Sequence, residues 1–157
     1  MIARMTLRNL IVLVFLVSLV IGTVLTSGCG SNEASVTVLE TQAQIIENVT
    51  VKGALNLIQT NKDNPNFVIL DVRTPEEFVG EHVKDATNLD YYSETFKDDL
   101  DSLDKDKTYL IYCRSGRRSA GALDTMKGLD YTEVYNMLDG ILRWGTEELP
   151  TVIKPRG

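Results

Sequence analysis

Two kinds of apolar pattern follow one another along the chain and predict strands that alternate with helices. Residues 67–72 and 109–112 are short, nearly unbroken apolar runs, as expected of strands that a parallel sheet buries on both faces. Apolar side chains spaced three and four positions apart predict helices over 51–58 and 119–126. This alternation predicts one α/β domain, a parallel sheet flanked by helices on both faces, whose ligands bind where the strands end.

Weaker signals predict the elements in between. The stretch 74–77, Thr-Pro-Glu-Glu, has the pattern of a capping box and predicts a short helix that ends near residue 79. Residues 86–89 and 133–136 predict two short strands, and apolar spacing over 92–103 predicts a helix. A last helix carries Trp144.

The N-terminal segment predicts export from the cytoplasm. Residues 1–28 contain Arg4 and Arg8, then an apolar run and small residues that lead to Cys29. A cysteine after small residues resembles a bacterial lipoprotein signal, in which Cys29 would carry the lipid, and an uncleaved signal anchor is the alternative. We therefore expect an export segment over 1–28, a flexible tether over 29–45 and a domain over 46–157, anchored to the membrane outside the cytoplasm.

The charge pattern predicts a local anion site. The 157-residue chain has a formal net charge of −6, which argues against nucleic acid as a partner. Against this acidic background, three arginines lie within 114–118 and favour a small anionic ligand at that loop. The chain has one histidine, so we expect no structural zinc, and we expect no cofactor.

Cys113 is the candidate nucleophile. It follows the strand over 109–112 and precedes a helix, where backbone N–H groups and nearby arginines are expected to lower the pKa of the thiol. The simplest alternatives are a disulfide between Cys29 and Cys113, or an inert buried cysteine. We favour a reactive thiolate in an anion-binding loop.

Four segments together carry a family resemblance: DVRTPEEF at 71–78, EHV at 81–83, YCRSGRRS at 112–119 and DGILRW at 139–144. In order and spacing they resemble the rhodanese family of sulfurtransferases across about 46–150. The resemblance implies a five-stranded parallel sheet and a persulfide sulfur carried by Cys113. It implies that the loop residues after the cysteine bind the substrate: Arg114, Ser115, Gly116, Arg117 and Arg118.

The chain departs from the family at two turns. Glu81 stands where the family usually has glycine, and Asp139 where it often has glycine. These departures leave the backbone geometry of the two turns open. His82 matches a family histidine, but we leave it outside the site because a lone histidine is more often structural. Asp71 is expected to anchor the loop or an arginine, and Arg73 to pair with a carboxylate or lie at the entrance.

The implied activity is transfer of sulfane sulfur from an anionic donor such as thiosulfate to a thiol or cyanide-like acceptor, without a metal. The main alternative is an extracytoplasmic persulfide carrier or thiol-docking module with little turnover. A phosphatase or arsenate-reductase-like enzyme is disfavoured. Tyrosine-phosphatase-like loops place five residues between cysteine and arginine, and the corresponding position here is Ser119.

Overall fold

In the computed structural model, residues 43–153 are described, and strands alternate with helices through most of that stretch. The elements in chain order are β1 (Ile45–Val49), α1 (Val51–Thr60), β2 (Phe67–Asp71), α2 (Pro75–Gly80), β3 (His82–Val83), β4 (Thr87–Asn88), α3 (Phe96–Asp101), β5 (Thr108–Tyr112), α4 (Arg117–Gly128), β6 (Glu133–Met137), α5 (Gly140–Thr146) and β7 (Thr151–Val152).

The main sheet has five strands in the order β1-β6-β5-β2-β4, and every pair in it is parallel. Strands β3 and β7 form a separate antiparallel pair. The predicted five-stranded parallel sheet is confirmed. Strand β5 is the central strand, so the residue that follows it, Cys113, lies at the middle of the sheet's carboxyl edge.

Helices cover both faces of the sheet, as predicted. One apolar cluster joins the sheet to α3 and α4 through Leu100 and Met126, and the other joins it to α1 and α5 through Ala54 and Trp144. All four side chains are almost completely buried. The side chains of β5 alternate between the two buried clusters. Because both faces of the strand are buried, its apolar run is continuous.

Apart from the two-residue strands β3 and β7, which were not predicted, the structure differs from the predicted elements at three places. Strand β1 was not predicted, because an edge strand with exposed Glu47 and Asn48 lacks a continuous apolar run. The helix predicted over 92–103 is shorter: α3 begins at Phe96, because Asp90 and Ser93 accept backbone N–H bonds in turns that precede it. The strand predicted over 86–89 is reduced to the two residues of β4.

The predicted export segment, the predicted lipid attachment at Cys29 and nearly all of the predicted tether lie outside the described residues. Within 43–153, none of the helices has the length and apolar character needed to cross a membrane. The same residues hold no group of three or more His, Cys, Asp or Glu side chains that could bind a metal ion.

Candidate active site

The Cys113 side chain lies at the base of a tight loop between β5 and α4. Only 1% of the residue is exposed. The Gly116 N–H donates to Cys113 Sγ at 3.2 Å, and the buried Ser119 hydroxyl donates to the same sulfur at 3.6 Å. The loop therefore closes around the sulfur and aims hydrogen-bond donors at it from the start of α4.

These donors decide the ionisation of the thiol. Burial raises the pKa of Cys113, but hydrogen bonds from the Ser119 backbone and hydroxyl, and from the N–H groups of Ser115 and Gly116, outweigh it. The pKa of Cys113 is therefore below its ordinary value, which favours the thiolate. The sequence had suggested arginine charges and N–H groups together; hydrogen bonds make the largest lowering contributions.

Helix α5 supports the loop from behind. The N–H groups of Ile141 and Leu142, in its first turn, donate to the carbonyls of Cys113 at 2.9 Å and Arg114 at 3.1 Å. This approach requires Gly140, since a Cβ there would lie 2.6 Å from the Arg114 oxygen and the residue has φ +56°. The loop carbonyls are thereby turned away from the sulfur, and its N–H groups face inward.

The two positions that depart from the family pattern adopt different backbones. Asp139 has φ 60°, so the left-handed turn before α5 is formed without glycine, by a residue type that tolerates this conformation. Glu81 has φ −165°, an extended conformation that any residue adopts. The turn geometry is therefore available at both positions.

The three loop arginines occupy different environments. Arg114 and Arg117 are exposed, and neither forms a salt bridge with a residue that the structure describes. Arg118 instead binds the carboxylate of Glu77 through both terminal nitrogens, at 2.6 and 2.8 Å. Its guanidinium also lies 5.5 Å from the centre of the Tyr92 ring.

Asp71 and Arg73 form a buried ion pair beneath the loop. Arg73 donates to the Asp71 carboxylate from Nε at 2.9 Å and from Nη2 at 2.6 Å, and Nη2 also donates to the Glu81 carbonyl at 2.6 Å. Burial lowers the pKa of Arg73, but the hydrogen bond and charge of Asp71, with smaller contributions from Tyr112 and Glu77, together raise it by more, so the guanidinium stays charged. Asp71 is paired in the sheet with Tyr112, the residue before Cys113, so the ion pair fixes the base of the loop.

His82, which was expected to lie outside the site, is not part of the loop. Its Nδ1 is 2.8 Å from the Phe78 carbonyl oxygen, and its ring stacks on Phe78 at 4.0 Å between centroids. The sequence analysis missed two residues that the structure brings to the site. Ser119 and Glu77 lie in segments that carry the family resemblance, but the sequence assigned neither of them a role at the site.

The fold and the site together define a class: a parallel α/β domain whose central strand delivers an activated cysteine into a loop of inward-facing N–H groups. A family model described as "Rhodanese-like domain" matches residues 50–147. The chain belongs to the rhodanese-like domain family.

Individual relatives are similar over the same region. An uncharacterized protein of Synechocystis is 34% identical over 105 residues, 67% of this chain, and the chain spans only 56% of its length. A protein of Allochromatium vinosum named "Sulfurtransferase" is 31% identical over 65% of this chain and 92% of its own length. The crystal structure of a rhodanese-like domain protein from Staphylococcus aureus, 28% identical, superposes with a TM-score of 0.57 over 69% of this chain and 99% of that one.

Proposed function

We propose that this protein is a sulfurtransferase that carries sulfane sulfur on Cys113. The observation that carries the proposal is the buried Cys113 sulfur, which accepts hydrogen bonds from Gly116 N–H and from the Ser119 hydroxyl and has a lowered thiol pKa. Membership of the rhodanese-like family, and a relative named as a sulfurtransferase, support it.

The first half-reaction loads the sulfur. The Cys113 thiolate attacks the outer sulfur of a donor such as thiosulfate, the donor's S–S bond breaks, and sulfite leaves with the bonding electrons. The enzyme is left as the Cys113 persulfide. Loop N–H groups that already face the sulfur, together with the exposed Arg114 and Arg117, suit stabilisation of the anionic donor and of the leaving sulfite.

The second half-reaction unloads it. An acceptor thiolate or cyanide attacks the outer persulfide sulfur, the S–S bond to Cys113 breaks, and the Cys113 thiolate is restored. The loop that stabilises the thiolate before the reaction also stabilises it as the leaving group. No external oxidant or reductant is consumed, because sulfane sulfur passes unchanged from donor to acceptor.

The position of Ser119 disfavours phosphate-ester or arsenate chemistry. Where a phosphatase-like loop would present an arginine, the structure has a buried hydroxyl whose single proton has two acceptors within reach, the Cys113 sulfur and the Gly116 carbonyl. Arg118, one position earlier, is bound to Glu77. The loop therefore suits a small sulfur group on the cysteine better than a tetrahedral phosphate held by arginine.

The test is steady-state sulfur transfer from thiosulfate to cyanide by the full chain in detergent, with Cys113→Ser as the control. We expect turnover in the wild type and a loss of at least about 100-fold in the variant, because serine is not a thiolate nucleophile at neutral pH. Mass spectrometry of the peptide that contains Cys113 should show one added sulfur after thiosulfate alone.

The same experiment separates the enzyme from a carrier. Near-complete burial of Cys113 also suits storage of a shielded persulfide. A persulfide on Cys113 without turnover on cyanide or on small thiols would favour the carrier. Absence of both the added sulfur and turnover would overturn the proposed function.

We also propose, from the sequence alone, that the domain acts outside the cytoplasm on a membrane anchor. The basic, apolar and small-residue order of 1–28, followed by Cys29, supports this. Labelled lipid should be incorporated into the wild type and not into Cys29→Ala. Label retained by the variant would contradict a lipid on Cys29, and absence of label from the wild type would favour the signal anchor.

A further inference from the structure

We propose that Glu77 sets the charge with which the Cys113 loop meets anions, because it neutralises one of the three loop arginines, Arg118. Glu77 is then a specificity-determining residue, although it belongs to a different helix and lies 41 positions away in sequence. The inference deepens the proposed sulfur-transfer function and rests on the anionic character of its substrate.

The geometry of the pair favours full neutralisation. Arg118 Nη1 and Nη2 each donate to a different oxygen of the Glu77 carboxylate, at 2.6 and 2.8 Å, which is the bidentate arrangement. Only 12% of the Arg118 side chain and 30% of the Glu77 side chain are exposed. The guanidinium also lies over the ring of Tyr92, itself largely exposed, at 5.5 Å from the ring centre.

Glu77 is also held in position by hydrogen bonds within its own helix cap, independently of Arg118. Its Oε2 accepts the Thr74 N–H at 3.2 Å, and its own N–H donates to the Thr74 hydroxyl at 3.4 Å, which completes the capping box of α2. Arg118 lowers the pKa of Glu77 to about 2, so the carboxylate is ionised at every pH at which the enzyme would work. Glu77 therefore carries its negative charge beside Arg118 throughout the working pH range.

The pair lies beside Cys113, because Arg118 directly precedes Ser119, whose hydroxyl donates to the Cys113 sulfur at 3.6 Å. The charge on Cys113 contributes to the raised pKa of Arg118, after the hydrogen bond and the charge of Glu77. Arg114 and Arg117 remain exposed and pair with no carboxylate among the described residues. The entrance to the Cys113 loop, which we call its mouth, therefore presents the positive charge of Arg114 and Arg117. Two positive charges attract a dianionic donor but bind the departing sulfite less strongly than three would.

The first test measures this charge through the alkylation of Cys113, without any sulfur transfer. The Cys113 thiolate displaces iodide from either iodoacetate or iodoacetamide, and only iodoacetate is an anion, so the ratio of the two alkylation rates reports the charge at the entrance to the loop. The reduced full-length chain is alkylated in low salt, and the Cys113 peptide is quantified by mass spectrometry. Circular dichroism verifies that each variant is folded.

Four variants give a diagnostic pattern. Glu77→Gln keeps an oxygen that can cap Thr74 and should raise the iodoacetate-to-iodoacetamide ratio about three- to tenfold. Arg118→Gln leaves Glu77 uncompensated and should lower it by a similar factor. The double variant should return to within about twofold of the wild type. Glu76→Gln removes the same charge from an exposed neighbour that forms no salt bridge with any described residue, and it should change the ratio by less than about twofold.

The second test uses thiosulfate. We expect Glu77→Gln to lower the KM for thiosulfate about three- to tenfold without raising kcat, and 0.5 M salt to remove most of that difference. A purely structural role of Glu77 would lower the melting temperature and leave the alkylation ratio and the KM unchanged.

Three outcomes would overturn the inference: a ratio in Glu77→Gln equal to that of the wild type, a change equal to that in Glu76→Gln, or a fall in the ratio, which would mean that Glu77 positions Arg118 to bind anions. If Arg118→Gln does not fold, the comparison of Glu77→Gln with Glu76→Gln decides alone. The expected ratios in a protein that loads no sulfur would leave this inference standing and refute the proposed function.

Discussion

Two carboxylate–guanidinium pairs lie at the same edge of the sheet and use the same chemistry in opposite settings. Asp71 and Arg73 are two residues apart, and their side chains are 0% and 6% exposed. Glu77 and Arg118 come from different helices, and their side chains are 30% and 12% exposed. The first pair lies under the strand ends and the second lies at the mouth of the Cys113 loop.

The difference shows how burial decides what an ion pair does. In the inner pair the guanidinium is also bound to the Glu81 carbonyl, and Arg73 lies 5.8 Å from the Tyr112 ring centre, so neither charge is open to a ligand. Removing one partner there leaves a buried charge. In the outer pair, Glu77 and Arg118, water can solvate the charge that remains after one partner is removed. A substitution there therefore changes the charge that attracts anions more than it changes the free energy of unfolding.

Asp71→Asn should have the largest effect on stability. The amide cannot neutralise Arg73, which is 5% exposed, so we expect the free energy of unfolding to fall by about 3–5 kcal/mol. Urea denaturation monitored by circular dichroism measures it, with the exposed Glu76→Gln as a control for net charge. A loss below about 1 kcal/mol in the free energy of unfolding would show that the Asp71–Arg73 pair is solvated. The proposed difference in role between this pair and Glu77–Arg118 would then be wrong.

Arginine-to-lysine changes should separate the pairs further. In Arg73→Lys a single ammonium cannot bind both Asp71 and the Glu81 carbonyl in the same way, and we expect a loss of about 2 kcal/mol. In Arg118→Lys the charge is kept near a partly exposed Glu77, and we expect less than about 1 kcal/mol. Equal losses in the same urea assay would contradict the comparison.

Much of this edge was predictable from local pattern. The apolar run of β5 and the capping box at Thr74 are local in sequence and led to the correct strand and helix. The three arginines after Cys113 are equally local and led to the candidate loop. The inner pair was partly predictable for the same reason, because Asp71 and Arg73 flank a single residue at the end of a strand.

The rest depends on contacts between distant segments, which no local pattern contains. The pairing of Glu77 with Arg118 needs the relative positions of α2 and α4, and the support of the loop by Gly140 and Ile141 needs the packing of α5. Strand β1 was missed because its pairing with β6, not its composition, makes it a strand.

Glu77→Gln should have a small effect on stability compared with the inner-pair variants. The capping oxygen is retained and the lost pair is partly exposed, so we expect the free energy of unfolding to fall by about 0.5–1 kcal/mol. Thermal and urea denaturation, with Glu76→Gln beside it, measure the difference. A loss of more than about 2 kcal/mol in the free energy of unfolding would show that the Glu77–Arg118 pair stabilises the fold as a buried ion pair does.

The smallest effect is the pH dependence of that difference. The pKa of Glu77 is about 2 in the folded protein against an ordinary 4.5, so its contribution is fully present above about pH 4.5 and is lost as the pH falls towards 2. Solvent screening limits the contribution to about 1 kcal/mol. Subtracting the unfolding free energy of Glu77→Gln from that of the wild type cancels the other carboxylates. We expect a constant difference from pH 7 to about pH 5 that shrinks towards zero near pH 2, and a difference unchanged down to pH 2 would mean that the ion pair contributes nothing to stability.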